Sequence, residues 1–134
     1  MIVVDTNIIA YLFLESDRSI QVERVLERDP QWSAPILWRS EFRNVLAHYI
    51  RKNLLSLSEA QQIMQEAMLL MKGREYEIAS FQVLNLVAST DCSAYDCEFV
   101  ALAEDLETSL VTVDRKILTE FPEIAVSLDG FTSQ

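Results

Sequence analysis

Two short β-branched runs constrain this chain more than any other feature. Ile2-Val3-Val4 and Leu110-Val111-Thr112-Val113 lie near opposite ends of the sequence, and each runs straight into an aspartate, Asp5 and Asp114. A short continuous apolar run bounded in this way reads as a strand buried on both faces, and such strands belong to parallel sheets covered by helices. In open parallel sheets, ligands sit outside the C-terminal strand ends. Asp5 and Asp114 are therefore expected as neighbours on one edge of one sheet.

Between these runs the pattern is largely helical. Thr6-Asn7 offer capping groups for a helix from about Ile8 to Glu15. Ser16 or Asp17 would cap a second helix through Arg28, with Ile20, Val25 and Leu26 facing inward and Pro30 closing it. Trp32 to Pro35 is expected to be extended, because residues before proline avoid the helical region. A long helix follows from Ile36 to Lys52; Ser58 with Gln61 reads as a capping box for the next, which Gly73 stops. Tyr76–Ala79 is a candidate strand, Ser80 and Ser93 are candidate caps for two further helices, and a last strand is expected from about Ile124 to Leu128. Strands alternating with helices predict an α/β domain with a mainly parallel sheet. With 134 residues, half of them apolar, and no repeat or linker, the chain reads as one domain, residues 1–134.

Composition narrows the function classes. The two cysteines form neither a disulfide framework nor a metal-ligand spacing, which reads as a reducing, cytoplasmic setting. Eleven basic against 21 acidic side chains give a net charge of −10, which argues against a duplex DNA or an anionic membrane held by bulk electrostatics. The N-terminus has no basic leader, and Ile8–Leu14 is too short to span a bilayer, so no membrane association is expected.

Two further acids fall where acids are costly. On the helix from Ile36 the inward stripe is Trp38, Phe42, Val45, Leu46 and Tyr49, and Glu41 shares that face. On the helix after Ser93 the stripe is Phe99, Val100, Ala103 and Leu106, and Asp96 shares it, whereas Glu98, Glu104, Asp105 and Glu107 fall mostly on the polar side. Singly, each acid has a plain alternative: a helix cap for Asp5 or Asp96, an arginine partner for Glu41, a turn for Asp114. Jointly, Asp5, Glu41, Asp96 and Asp114 point to one cleft. Four like charges gathered without a counter-charge cannot all ionise, and a divalent cation resolves the conflict. All-oxygen ligands select Mg²⁺ or Mn²⁺. Such ions typically act on phosphate, which points to phosphodiester hydrolysis.

Val3-Val4-Asp5-Thr6-Asn7, Ser40-Glu41-Phe42, Ser93-Ala94-Tyr95-Asp96 with Val100-Ala101-Leu102-Ala103, and Leu110 to Asp114 together make the chain resemble the PIN-domain ribonucleases, in particular the VapC-type toxins of toxin–antitoxin pairs. The resemblance runs from Met1 to about Leu128. It implies a single three-layer α/β/α PIN-like domain and a Mg²⁺- or Mn²⁺-dependent endoribonuclease. The family's four acids match Asp5, Glu41, Asp96 and Asp114, its small polar residue near the metal matches Thr112, and its early asparagine matches Asn7. It also implies an RNA substrate, a homodimer, and a cognate antitoxin whose C-terminal segment lies in an apolar groove and carries a basic side chain to the acids.

Arg39, Arg43 and Arg115 neighbour the site acids in sequence and are candidates to steer RNA phosphates. Met64, Met68 and Met71, like Trp32 and Trp38, read chiefly as packing residues, and His48 lacks any partner for a histidine-based hydrolase. Two other functions remain open at this stage. One is a non-catalytic PIN-like binding module. The other is an aspartyl-phosphate phosphotransfer domain, against which Asn7 counts, because such enzymes want a second aspartate there.

Overall fold

The computed structural model describes residues 1–133. The elements run β1 (Ile2–Val4), α1 (Thr6–Phe13), α2 (Ser19–Arg28), β2 (Trp32–Pro35), α3 (Trp38–Arg51), α4 (Leu57–Met71), β3 (Glu75–Tyr76), α5 (Ser80–Ser89), α6 (Ala94–Asp105), β4 (Leu110–Val111), α7 (Arg115–Glu120), β5 (Ala125–Val126) and α8 (Leu128–Thr132).

The strands form one sheet in the order β3-β2-β1-β4-β5, and each neighbouring pair is parallel. Val3 pairs with Ser33 on one side and with Leu110 on the other. From β1 the chain steps outward through β2 to β3, then crosses back over β1 to reach β4 and β5. Parallel crossovers are right-handed, so the first walk lays α1–α4 on one face and the return lays α5–α7 on the other. In keeping with this, α4 packs on β2, while α6 packs on β1, β2 and β4. The result is the expected α/β layering, with helices flanking a sheet that is parallel throughout.

The core follows from burial on both sheet faces. All residues of β1, β2 and β4 are buried, and Trp32, Trp38, Phe42 and Phe99 are the bulkiest fully buried side chains. Helix α6 lies between the sheet and α5, and so buries Cys97 and every residue from Phe99 to Ala103.

Several local expectations are corrected. Asp5 itself caps α1, its carboxylate accepting from the Thr6 N–H, so the helix starts earlier than Ile8. On α2, Val22 and Val25 face inward, whereas Ile20 is 68% exposed. The capping box of α4 is Ser56 with Glu59, at 3.0 and 2.9 Å, rather than Ser58 with Gln61. Ser80 begins α5 without capping it, and the expected strand at Tyr76–Ala79 is only Glu75–Tyr76. The strand expected from about Ile124 to Leu128 is only Ala125–Val126, and Leu128 begins the short helix α8, which Ser127 caps by accepting from the Gly130 N–H. Gly73 does end α4, with φ +80°, a conformation that L side chains avoid. Among the described residues no helix is long and apolar enough to cross a membrane.

Candidate active site

The order of strands reverses between β1 and β4, and the crevice outside their C-terminal ends is where such sheets bind ligands. Asp5 leaves β1 and Asp114 follows β4 there. Helix α3 brings Glu41 and the first turn of α6 brings Asp96 to the same place. These four acids, with Thr6, Asn7, Asn44 and Val45, line one cleft of about 260 Å³.

Each acid is held by local chemistry. Asp5 is 9% exposed and has both oxygens engaged. Its Oδ1 accepts from the Thr6 N–H at 2.8 Å, and its Oδ2 accepts from the Thr112 hydroxyl at 2.7 Å. That hydroxyl also accepts from the Asp114 N–H at 3.0 Å, so the buried Thr112 links two site acids across adjacent strands. Glu41 Oε1 accepts from the Thr6 hydroxyl at 2.6 Å. Asp114 caps α7 through its Oδ1, which accepts from the Ile117 N–H at 3.0 Å. Asp96 lies in the first turn of α6, where the Ser93 hydroxyl accepts from its backbone N–H at 3.0 Å.

The electrostatics record the crowding. Burial pushes Asp5 from 3.8 up to about 6 against the pull of its hydrogen bonds to Thr112 and Thr6, and the charges of Glu41 and Asp96 push it further. Glu41 is raised first by burial and then by Asp96, while the bond from Thr6 opposes the rise. Asp96 is raised by burial and by Asp114. Buried carboxyls crowded by like charges in a cleft cluster at functional sites.

The donor set fits a hard divalent cation. It offers carboxylates from four elements, and no thiol or imidazole is among the residues lining the cleft. The site is gathered rather than closed: among the described residues, no three Asp, Glu, His or Cys side chains are grouped so as to hold an ion as they stand. Asp5, Glu41 and Asp114 each have an oxygen turned to a protein donor.

The basic residues singled out from the sequence lie apart from the acids. None of Arg39, Arg43 and Arg115 lines the acidic cleft. Arg39 binds Glu75 through Nε and NH2, both at 2.6 Å, and Trp38 Nε1 donates to the same carboxylate at 2.7 Å. Arg43 reaches back to the Ser40 hydroxyl at 3.1 Å, and Arg115 is exposed at the start of α7. Among the polar residues lining the cleft, Thr6 and Asn44 are not among the site residues expected from the sequence. Asn44 faces the cleft one turn after Glu41. Glu98, assigned to the polar side, is half-buried, and its carboxyl is raised by burial and by the charge of Glu41.

The PIN-domain family model matches residues 2–125. A curated relative, Ribonuclease VapC3 of Pyrobaculum aerophilum, is 29% identical over 126 residues, which cover 92% of this chain and 96% of the relative. Among solved structures, a protein of the same organism superposes with a TM-score of 0.76 at 18% identity, covering 98% of this chain and 92% of the other. A toxin–antitoxin complex from Klebsiella pneumoniae gives 0.71 at 17% identity over 96% and 98% of the two chains. FitAcB from Neisseria gonorrhoeae gives 0.73 at 16% identity over 96% and 98%.

Proposed function

The chain belongs to the PIN-domain family, and from that premise we propose that it is a metal-dependent endoribonuclease, the toxin of a toxin–antitoxin pair. The observation that carries the proposal is the meeting of Asp5, Glu41, Asp96 and Asp114 at the point where the strand order reverses. The curated ribonuclease relative supports RNA as substrate, and the toxin–antitoxin neighbours support the biological role.

In this reading Asp5, Asp96 and Asp114 would hold Mg²⁺ or Mn²⁺, and Glu41 would complete the ligand set or position the attacking water. When bound, the ion supplies Lewis-acid polarisation of a phosphodiester oxygen and eases ionisation of the attacking water. The protein's own part is positioning. Thr112 fixes Asp5 and the backbone of Asp114, and the start of α7 fixes the Asp114 side chain. Glu41 Oε1 is tied to Thr6, and Oε2 has no hydrogen bond among the described residues, so Oε2 would be the atom that meets the ion or its water. Its raised pKa would suit it to accept a proton from that water. Asn7 and Asn44 are the uncharged amides at the cleft and can donate to phosphate without adding negative charge. Arg43 and Arg115 would steer RNA from the rim, while Arg39 serves mainly to anchor Glu75.

The partners follow from the same surface. Apolar side chains of α3 and α4, among them Leu46, Ile50, Leu57 and Met64, line a shallow groove suited to an antitoxin segment. A basic side chain brought from that segment to the cleft would neutralise the acids and block the ion. The protein would act as a homodimer in the cytoplasm, where its RNA substrates are. The test is cleavage of structured RNA with Mg²⁺ or Mn²⁺. Wild type should cut; EDTA, Asp5→Asn and Asp96→Asn should each abolish cutting while circular dichroism stays unchanged. Undiminished cleavage in EDTA would overturn the mechanism.

A further inference from the structure

Thr6 is the first residue of α1 and is 4% exposed. Its two donors go to two different site carboxylates: the N–H to Asp5 Oδ1 at 2.8 Å, and the hydroxyl to Glu41 Oε1 at 2.6 Å. A threonine at a helix start commonly caps its own helix. Here Asp5 performs that role, so the Thr6 hydroxyl is released to reach an element 35 residues away. The bond it makes is short and charge-assisted, the stronger class of hydrogen bond. It joins the end of β1 to α3, whose acids would otherwise be pushed apart by their own charge.

We infer that Thr6 is a positioning residue that sets Glu41 against Asp5 and thereby governs how tightly the cleft takes a divalent cation. The inference rests on the proposed ion site and deepens it. A merely structural Thr6, one that only satisfies its own buried hydroxyl, would affect stability but not ion affinity, and its effect would not depend on Glu41. A positioning Thr6 acts through Glu41 alone. Removing a group that orients a ligand typically lowers metal affinity by about 10- to 100-fold.

The experiment measures Mn²⁺ affinity of metal-free protein from the electron paramagnetic resonance signal of free Mn²⁺. It uses wild type, Thr6→Ser, Thr6→Val, Thr6→Ala, Glu41→Ala and the double variant Thr6→Val with Glu41→Ala. Thr6→Val should weaken Mn²⁺ binding by about 10- to 100-fold, and Thr6→Ser, which keeps the hydroxyl, should stay within about threefold of wild type. In the Glu41→Ala background the Thr6→Val change should cost less than about twofold, because the side chain it positions is gone. Thr6→Ala carries the same expectation as Thr6→Val and replaces it if that variant does not fold. Wild-type affinity in Thr6→Val, or an equal loss with and without Glu41, would overturn the inference while leaving the ion site standing. A folded wild type that binds no Mn²⁺ would overturn the ion site and the inference together.

Discussion

Asp5→Asn should make the metal-free protein more stable at neutral pH while destroying its activity. The carboxyl of Asp5 ionises at about 6 in the fold, against 3.8 for an ordinary aspartate, chiefly because it is buried. An acid that holds its proton more tightly in the fold lends stability that is complete below pH 3.8, fades as pH rises towards 6 and is absent above it. The difference amounts to about 3 kcal/mol that the ionised side chain costs the fold at pH 7.5. An asparagine there carries no charge. Its Oδ1 still accepts from the Thr6 N–H, but its amide cannot accept the Thr112 hydroxyl, a loss of about 1 kcal/mol. The net expectation is a gain of about 2 kcal/mol at pH 7.5, no difference near about pH 4.5, and a loss of about 1 kcal/mol below about pH 3.5. Urea unfolding in EDTA across that range reads the crossing directly. Mn²⁺ at about 100 times its dissociation constant should then stabilise wild type by about 2.7 kcal/mol and the variant far less. A difference that ignores pH, or a variant less stable than wild type at pH 7.5 in EDTA, would refute the reasoning.

Other expectations concern residues around the cleft. Glu75→Ala removes the shared acceptor of Trp38 and Arg39, and the buried indole N–H left without a partner should cost about 1–3 kcal/mol in urea unfolding, with cleavage unchanged at a permissive temperature. Ser56→Ala breaks the capping box of α4 and should lower stability by about 1 kcal/mol in the same assay, with no change in RNA cleavage. Arg115→Ala should raise KM for RNA with kcat preserved, and should reduce the slope of log affinity against log salt by about 0.7, the share of one phosphate contact on a single strand.

The site acids were legible because their signals are local. Asp5 and Asp114 follow buried β-branched runs, and Glu41 and Asp96 interrupt apolar stripes; both patterns need only a window of a few residues. The sheet topology then brought them together, which a single window cannot state but the rule for parallel sheets can. What escaped is non-local or ambiguous. Glu98 reads as polar-face because a helix wheel assumes an open side, yet α6 is enclosed by the sheet and α5. Arg39 reads as a site cation beside Glu41, but its partner, Glu75, sits on a strand that only the fold brings near. Thr6 offers a capping signal, and nothing in its neighbourhood tells that its hydroxyl crosses to α3. Ser56 with Glu59 and Ser58 with Gln61 are overlapping versions of one motif. The choice falls on the first, which starts the helix early enough for the buried Ala60 to bond back to Ser56.

The most direct measurement is the anomalous diffraction of a crystal soaked in Mn²⁺. A peak should appear in the cleft, coordinated by oxygens from at least two of Asp5, Glu41, Asp96 and Asp114. An empty cleft in crystals of a preparation that still cuts RNA would contradict the assignment of these acids.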